Sequence, residues 1–182
     1  MALQTAAASQ PSRRQPLWIL ALVYLAFILV VFLYLLIQQA TLFVDTPPGL
    51  FLLAFGMGVI HLGCTAWILL QKRLNPAGQL LAVLLASIGM GVAGFPVRTT
   101  GFIQPAWTLA VAAAGAGFLH LGMIFPTLSA WVTRRPWLQF LPWAAAGLLA
   151  VGMLAFRPPA ATRDLILVGF AGLSTLKPHQ DQ

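Results

Sequence analysis

Five uncharged runs dominate the chain, at about Leu17–Gln38, Leu50–Gln71, Pro76–Phe95, Pro105–Pro126 and Pro136–Phe156. Crossing the ~30 Å hydrocarbon core of a bilayer takes about 20 apolar residues in a helix, and each run meets that length. The links between them carry helix-ending chemistry. Asp45 and Pro47-Pro48 interrupt the first link. In Lys72-Arg73-Leu74-Asn75-Pro76, Asn75 suits an N-cap and Pro76 the first helical position, where the missing N–H is no loss. Gly101 to Gln104 reads as a loop before the fourth span, which Thr127–Thr133 extends along the interface. Leu165–Leu176 has only 12 residues, about 18 Å at helical rise, and is expected not to span alone. The predicted fold is all-α: a polytopic membrane helix bundle of five full spans plus a short partial sixth segment. Residues 1–16 form a tail, 17–156 the bundle, and 157–182 an external loop, the short apolar segment and a tail. Lys177–Gln182 closes with no charged stop of any size; either the last segment lies partly in the interface or, the favoured reading, a longer chain has been cut there.

Composition narrows the chemistry. Of 182 residues, 60% are hydrophobic and 7% charged, against about a quarter charged in a soluble domain. The acidic residues are Asp45, Asp164 and Asp181, with no Glu, which argues against metal-dependent hydrolysis and carboxylate acid–base catalysis. The formal net charge of +7 is scattered in ones and twos between spans, so it is read as topology and not as a nucleic-acid surface. Arg13, Arg14, Lys72, Arg73, Arg134 and Arg135 fall on one side; Arg98, Arg157, Arg163 and Asp164 fall on the other. The Lys/Arg bias puts the N-terminus in the cytoplasm of a multi-pass protein of the cytoplasmic membrane. Trp18, Trp131, Trp137 and Trp143 then lie near the inner boundary and Trp107 near the outer. Ser12-Arg13-Arg14-Gln15-Pro16-Leu17 has some likeness to a twin-arginine export signal. The 21 uncharged residues of Leu17–Ile37 exceed a signal core, and no small-x-small cleavage site follows, so an uncleaved signal-anchor is expected. Cys64 is the single cysteine and reads as a small core residue.

The candidate chemistry lies in a repeat. Gly56-Met57-Gly58-Val59-Ile60-His61-Leu62-Gly63 recurs as Gly115-Ala116-Gly117-Phe118-Leu119-His120-Leu121-Gly122. An ionisable ring inside a membrane helix is expensive and marks a functional-site hypothesis. His61 lies 11 residues before Lys72 and His120 14 before Arg134, so their depths agree within about one turn. Three readings stand beside one another. The glycines Gly56, Gly58, Gly63, Gly115, Gly117 and Gly122 let helices pack closely while each imidazole bonds a neighbour. Alternatively, His61 and His120 are polar elements of a sensing core, or both ligate one haem b. In each case both rings are expected to face one internal space. A zinc site finds only His61, His120 and Cys64 as ligands, one short of a structural set, so no metal and no obligatory cofactor is expected. Gly89-Met90-Gly91 with Gly94 reads as a packing seam.

Two motifs carry a resemblance. Phe118-Leu119-His120-Leu121-Gly122-Met123-Ile124-Phe125-Pro126 resembles the His-hydrophobic-Phe-Pro ending of a central helix in the multi-span N-terminal sensor regions of bacterial histidine kinases. Lys72-Arg73-Leu74-Asn75-Pro76-Ala77-Gly78 resembles the basic-Asn-Pro-Ala turn between two of their early spans. The likeness covers about residues 15–156. It implies signal transduction in a two-component system: a membrane sensory or receptor-like input module driving a kinase domain that this sequence lacks. The chain is therefore not expected to be an enzyme by itself. Its expected partners are the lipid bilayer and a second copy or another membrane protein, not nucleic acid. A haem-binding cytochrome subunit using His61 and His120, and a structural accessory subunit of a membrane complex, are the alternatives.

Overall fold

The computed structural model describes residues 15–43, 46–72, 76–124 and 135–173. Helix α1 is Gln15–Ile37, followed after Gln38 by the single turn α2, Gln39–Leu42. Then come α3 (Pro48–Lys72), α4 (Pro76–Gly94), α5 (Ile103–Ile124), α6 (Leu141–Phe156) and α7 (Ala160–Leu173). No strand occurs among the described residues. Five helices are long and apolar enough to cross a membrane: Ile19–Ile37, Pro48–Gln71, Ala77–Val97, Ile103–Ile124 and Trp137–Phe156. The expected all-α bundle is what forms.

Proline sets the helix starts. Pro48 and Pro76 are first residues of α3 and α4, where a residue without an N–H leaves no bond unmade. The Pro47 carbonyl still accepts from the Phe51 N–H at 3.1 Å. Pro105 does not open α5. The Thr100 carbonyl accepts from the Ile103 and Gln104 N–H groups at 2.9 and 3.2 Å, so the helix begins two residues earlier and Pro105 falls in its first turn. Pro136 opens a 3₁₀ turn, Pro136–Phe140, and Pro142 sits in the first turn of α6. At the other end of α6, Arg157 takes a left-handed conformation (φ 45°), and the chain reverses into α7 within three residues. Asp45, Arg73, Asn75 and Thr127–Thr133 lie outside the described residues, as do Arg13, Arg14, Arg134 and residues 174–182.

α4 packs on α3 and α5 and also carries α1; α5 packs in addition on α6 and α7. The interior is rich in alanine: Ala82, Ala86, Ala93, Ala106, Ala110, Ala112 and Ala116 are all buried. The large side chains of α1, α3 and α6, such as Leu20, Ile37, Leu70 and Leu148, point outward. Small inside and large outside is how helices pack in lipid, where outward apolar surface needs no protein cover. Gly58 and Gly89 mark the crossing of α3 and α4. A Cβ on Gly58 would lie 2.8 Å from both Ala93 Cβ and Phe32 Cε2 and 3.1 Å from the Gly89 carbonyl oxygen.

The last segment differs from the expectation. A helix begins at Ala160, five residues before the expected Leu165, and takes in Arg163 and Asp164, which the sequence reading placed in a loop. Its 14 residues rise about 21 Å, less than the ~30 Å core. Leu167 is buried, and the Phe170 ring lies where a Gly115 side chain would stand.

Candidate functional site

The two histidines do not share one space. His61 is on α3 and His120 on α5, and α4 packs between those helices. Both rings are half-buried at helix seams rather than set in the core. His61 Nδ1 lies 2.7 Å from the Met57 carbonyl oxygen one turn back. A carbonyl only accepts, so this Nδ1 carries the proton. The His61 Cβ stands against Gly89, 2.9 Å from where a Cβ on that glycine would be. Nearby, the Thr65 hydroxyl lies 2.9 Å from the His61 carbonyl and 3.3 Å from the Ala82 carbonyl of α4.

His120 has the opposite tautomer. Trp143 Nε1 donates to its Nδ1 at 2.8 Å, with the two rings edge-on. An indole only donates, so Nδ1 is the bare nitrogen and Nε2 holds the proton of the neutral ring. A protonated Nε2 has no lone pair for a metal. The paired haem slot, one of the three readings of the repeat, is therefore not formed by these two rings. The repeat is one of sequence and not of surroundings: one ring braces its own helix, the other ties α5 to α6.

The repeat's glycines divide in the same way. Gly58, Gly115 and Gly117 are at close contacts, with Phe32 and Ala93, with Phe170 and Ala171, and with Leu84 respectively. Gly56, Gly63 and Gly122 have no described atom within 4 Å of a built Cβ, so the packing role expected of them is not seen among the described residues. On α4, Gly91 receives the Trp107 indole N–H on its carbonyl at 2.8 Å. Gly94 lies under the same ring, 3.3 Å from Cβ position to Trp107 Cδ1. Tyr24 and Ser87 are 2.7 Å apart, and Ser87 donates to the Val83 carbonyl at 2.7 Å. The single serine proton is thereby committed, and Tyr24 donates to it, joining α1 to α4. Cys64 is exposed on α3, not in the core as expected.

The most charged site was not foreseen. Asp164 on α7 bridges two guanidiniums. Arg98, in the link between α4 and α5, donates through Nε to its Oδ2. Arg163 reaches Oδ1 through Nε and Nη2 at 3.3 and 3.1 Å. Arg163 is only 2% exposed, and its guanidinium carbon is 5.7 Å from the centre of the Trp107 ring. Arg98 also donates to the Phe95 carbonyl at 2.9 Å and stacks 4.1 Å over the Phe95 ring. Aromatic faces hold guanidinium planes in this way. A signal existed: Arg163, Leu167 and Phe170 recur at i, i+4 and i+7, which phases a helix through the charged pair. Treating charge as the mark of a loop hid it.

No protein-family model, no curated protein and no solved structure matches the chain. Function therefore rests on what the arrangement can do. Among the described residues, Asp164 is the single carboxylate and is fully engaged by two arginines. No group of three or more His, Cys or acidic residues converges there on a metal-sized site. Among the described residues, the Ser87 and Thr65 hydroxyls both bond backbone carbonyls and not a base.

Proposed function

We propose that the chain is a membrane-embedded sensory or receptor-like input module. The observation that carries this reading is the attachment of α7. Unlike the five long helices, it is shorter than a span. It is held to the bundle by a glycine notch at Gly115, by the buried Leu167 and Arg163 and by the Asp164 bridge to Arg98, contacts concentrated on one short helix. A module that relays a signal needs an element with two discrete placements and a stimulus that favours one of them. In this reading α7 is that element, and α5, on which it packs, is its frame. The motifs around His120 and Lys72-Arg73-Leu74-Asn75-Pro76 that resemble sensor regions of bacterial histidine kinases favour the same reading. The basic pairs favour a cytoplasmic N-terminus, with the Arg98 end of the bundle outside.

The test uses the full chain in lipid nanodiscs, with Cys64→Ala and spin labels at Val151 and Val168, two outward positions on α6 and α7. The distance between labels is measured while bilayer thickness and ionic strength are varied. Two discrete distances with shifting weights support the module. One distance, unmoved across conditions, overturns it.

A further inference from the structure

We infer that Arg98 and Arg163 form a phosphate-binding site at the end of the bundle where α4 turns into α5, with the Asp164 carboxylate a resident competitor for the same guanidinium edges. The inference does not rest on the sensory reading; a headgroup or anion site is as useful to a structural subunit.

Charge is the first argument. Two guanidiniums face one carboxylate, which leaves one positive charge uncompensated among the described residues. Arg163, only 2% exposed, is already paired with Asp164 through two hydrogen bonds, so the excess charge falls to Arg98. A second anion relieves that imbalance. Presentation is the second argument. The Phe95 ring lies flat against Arg98 and the Trp107 ring lies beside Arg163, so both forks are held in fixed planes. A planar fork with several N–H donors is the geometry that receives phosphate oxygens in pairs. The Arg98 side chain is 27% exposed, so an incoming anion meets it first. Position is the third argument. One membrane-length segment ends at Val97 and the next begins at Ile103, which sets Arg98 at the level of the polar headgroups. That is where lipid phosphates lie, and where a dissolved phosphate can approach. The Asp164 carboxylate occupies the same donors and so weakens binding.

The experiment takes the full chain in phosphatidylcholine nanodiscs and measures binding of phosphatidylglycerol by native mass spectrometry. Inorganic phosphate is added in a parallel series. The wild type should take up phosphatidylglycerol, phosphate or both in preference to phosphatidylcholine. Arg98→Gln should weaken that binding about tenfold, the loss of one charge-assisted hydrogen bond. Asp164→Asn should strengthen it, a sign that a merely structural carboxylate would not give. If Arg98→Gln does not fold, Arg98→Lys keeps the charge, loses the fork and should bind at an intermediate level. Uptake of phosphatidylglycerol alone assigns the site to lipid headgroups; equal displacement by inorganic phosphate assigns it to soluble anions. Weaker binding in Asp164→Asn, no change in Arg98→Gln, or no preference for either probe overturns the proposal. So does unfolding of Asp45→Asn as severe as that of Arg98→Gln, because the chain would then supply its own second anion.

Discussion

Gly56 and Gly58 are two residues apart on α3, and replacing each by alanine should have opposite effects. A Cβ at Gly58 lands 2.8 Å from Ala93 Cβ, 2.8 Å from Phe32 Cε2 and 3.1 Å from the Gly89 carbonyl oxygen. The phenylalanine ring can swing away. The other two atoms are rigidly attached to the α4 backbone, so α3 has to move off α4. Overpacking of this kind destabilises by about 1–3 kcal/mol. At Gly56 a Cβ meets no described atom within 4 Å, so only helix propensity acts, favouring alanine by up to about 1 kcal/mol. Both substitutions are Gly→Ala in the interior of one helix. The propensity contribution therefore cancels in their difference, and what remains is the α3–α4 contact, about 1–3 kcal/mol. Equilibrium unfolding in mixed micelles, followed by tryptophan fluorescence, measures it. Gly56→Ala should be at least as stable as the wild type and Gly58→Ala clearly less so. If the two variants unfold together, the Gly58–Gly89 crossing is not a close contact and the packing scheme built on it fails.

Other outcomes follow from the same geometry. Gly115→Ala should loosen α7, because its Cβ would stand 2.6 Å from the Phe170 ring and 3.3 Å from Ala171 Cα; Gly122→Ala, with nothing near it, should not, and amide hydrogen exchange across 160–173 will separate them. Trp143→Phe should free His120 Nδ1 and scramble the tautomer, which ¹⁵N NMR of the imidazole detects; an unchanged Nε2–H ring would refute the bond. Tyr24→Phe should destabilise by about 0.6 kcal/mol, the average for a polar bond between membrane helices, because Ser87 keeps its bond to Val83; a loss above about 2 kcal/mol would show a network beyond this pair. Cys64 should resist a charged maleimide in bilayers yet react after solubilisation in denaturing detergent; rapid labelling in the bilayer would show that lipid does not cover the outer face of α3.

Much of the fold could be read from runs and prolines, because span length is imposed by the bilayer and Pro48 and Pro76 tolerate only first-turn positions. Two kinds of information were out of reach. The first is lateral order. The repeated glycine–histidine segments look alike, but nothing in them says that α4 stands between them, so His61 and His120 were expected in one space. The second is the fate of charge. The spacing of Arg163, Leu167 and Phe170 marks a helix through the charged pair, but a bond to Arg98 across 66 positions leaves no trace in the local pattern. The half-buried rings lie between these cases: polar need was foreseen for both, while Trp143 as the donor to His120 was not.

The bond between Arg98 and Asp164 also sets a clock on biogenesis. The two residues are 66 positions apart, and a ribosome adds about 5–20 residues per second. Arg98 is thus made some 3–13 s before its counter-ion exists. Throughout that wait its guanidinium has to be satisfied by water or by lipid phosphate while α5 and α6 are threaded into the bilayer. Only when α7 arrives can the nascent bundle exchange that external partner for the carboxylate of Asp164. The closing of this bond is then a late event in the assembly of the bundle, and quality-control proteases that recognise unpaired charge at a membrane boundary would have several seconds in which to act.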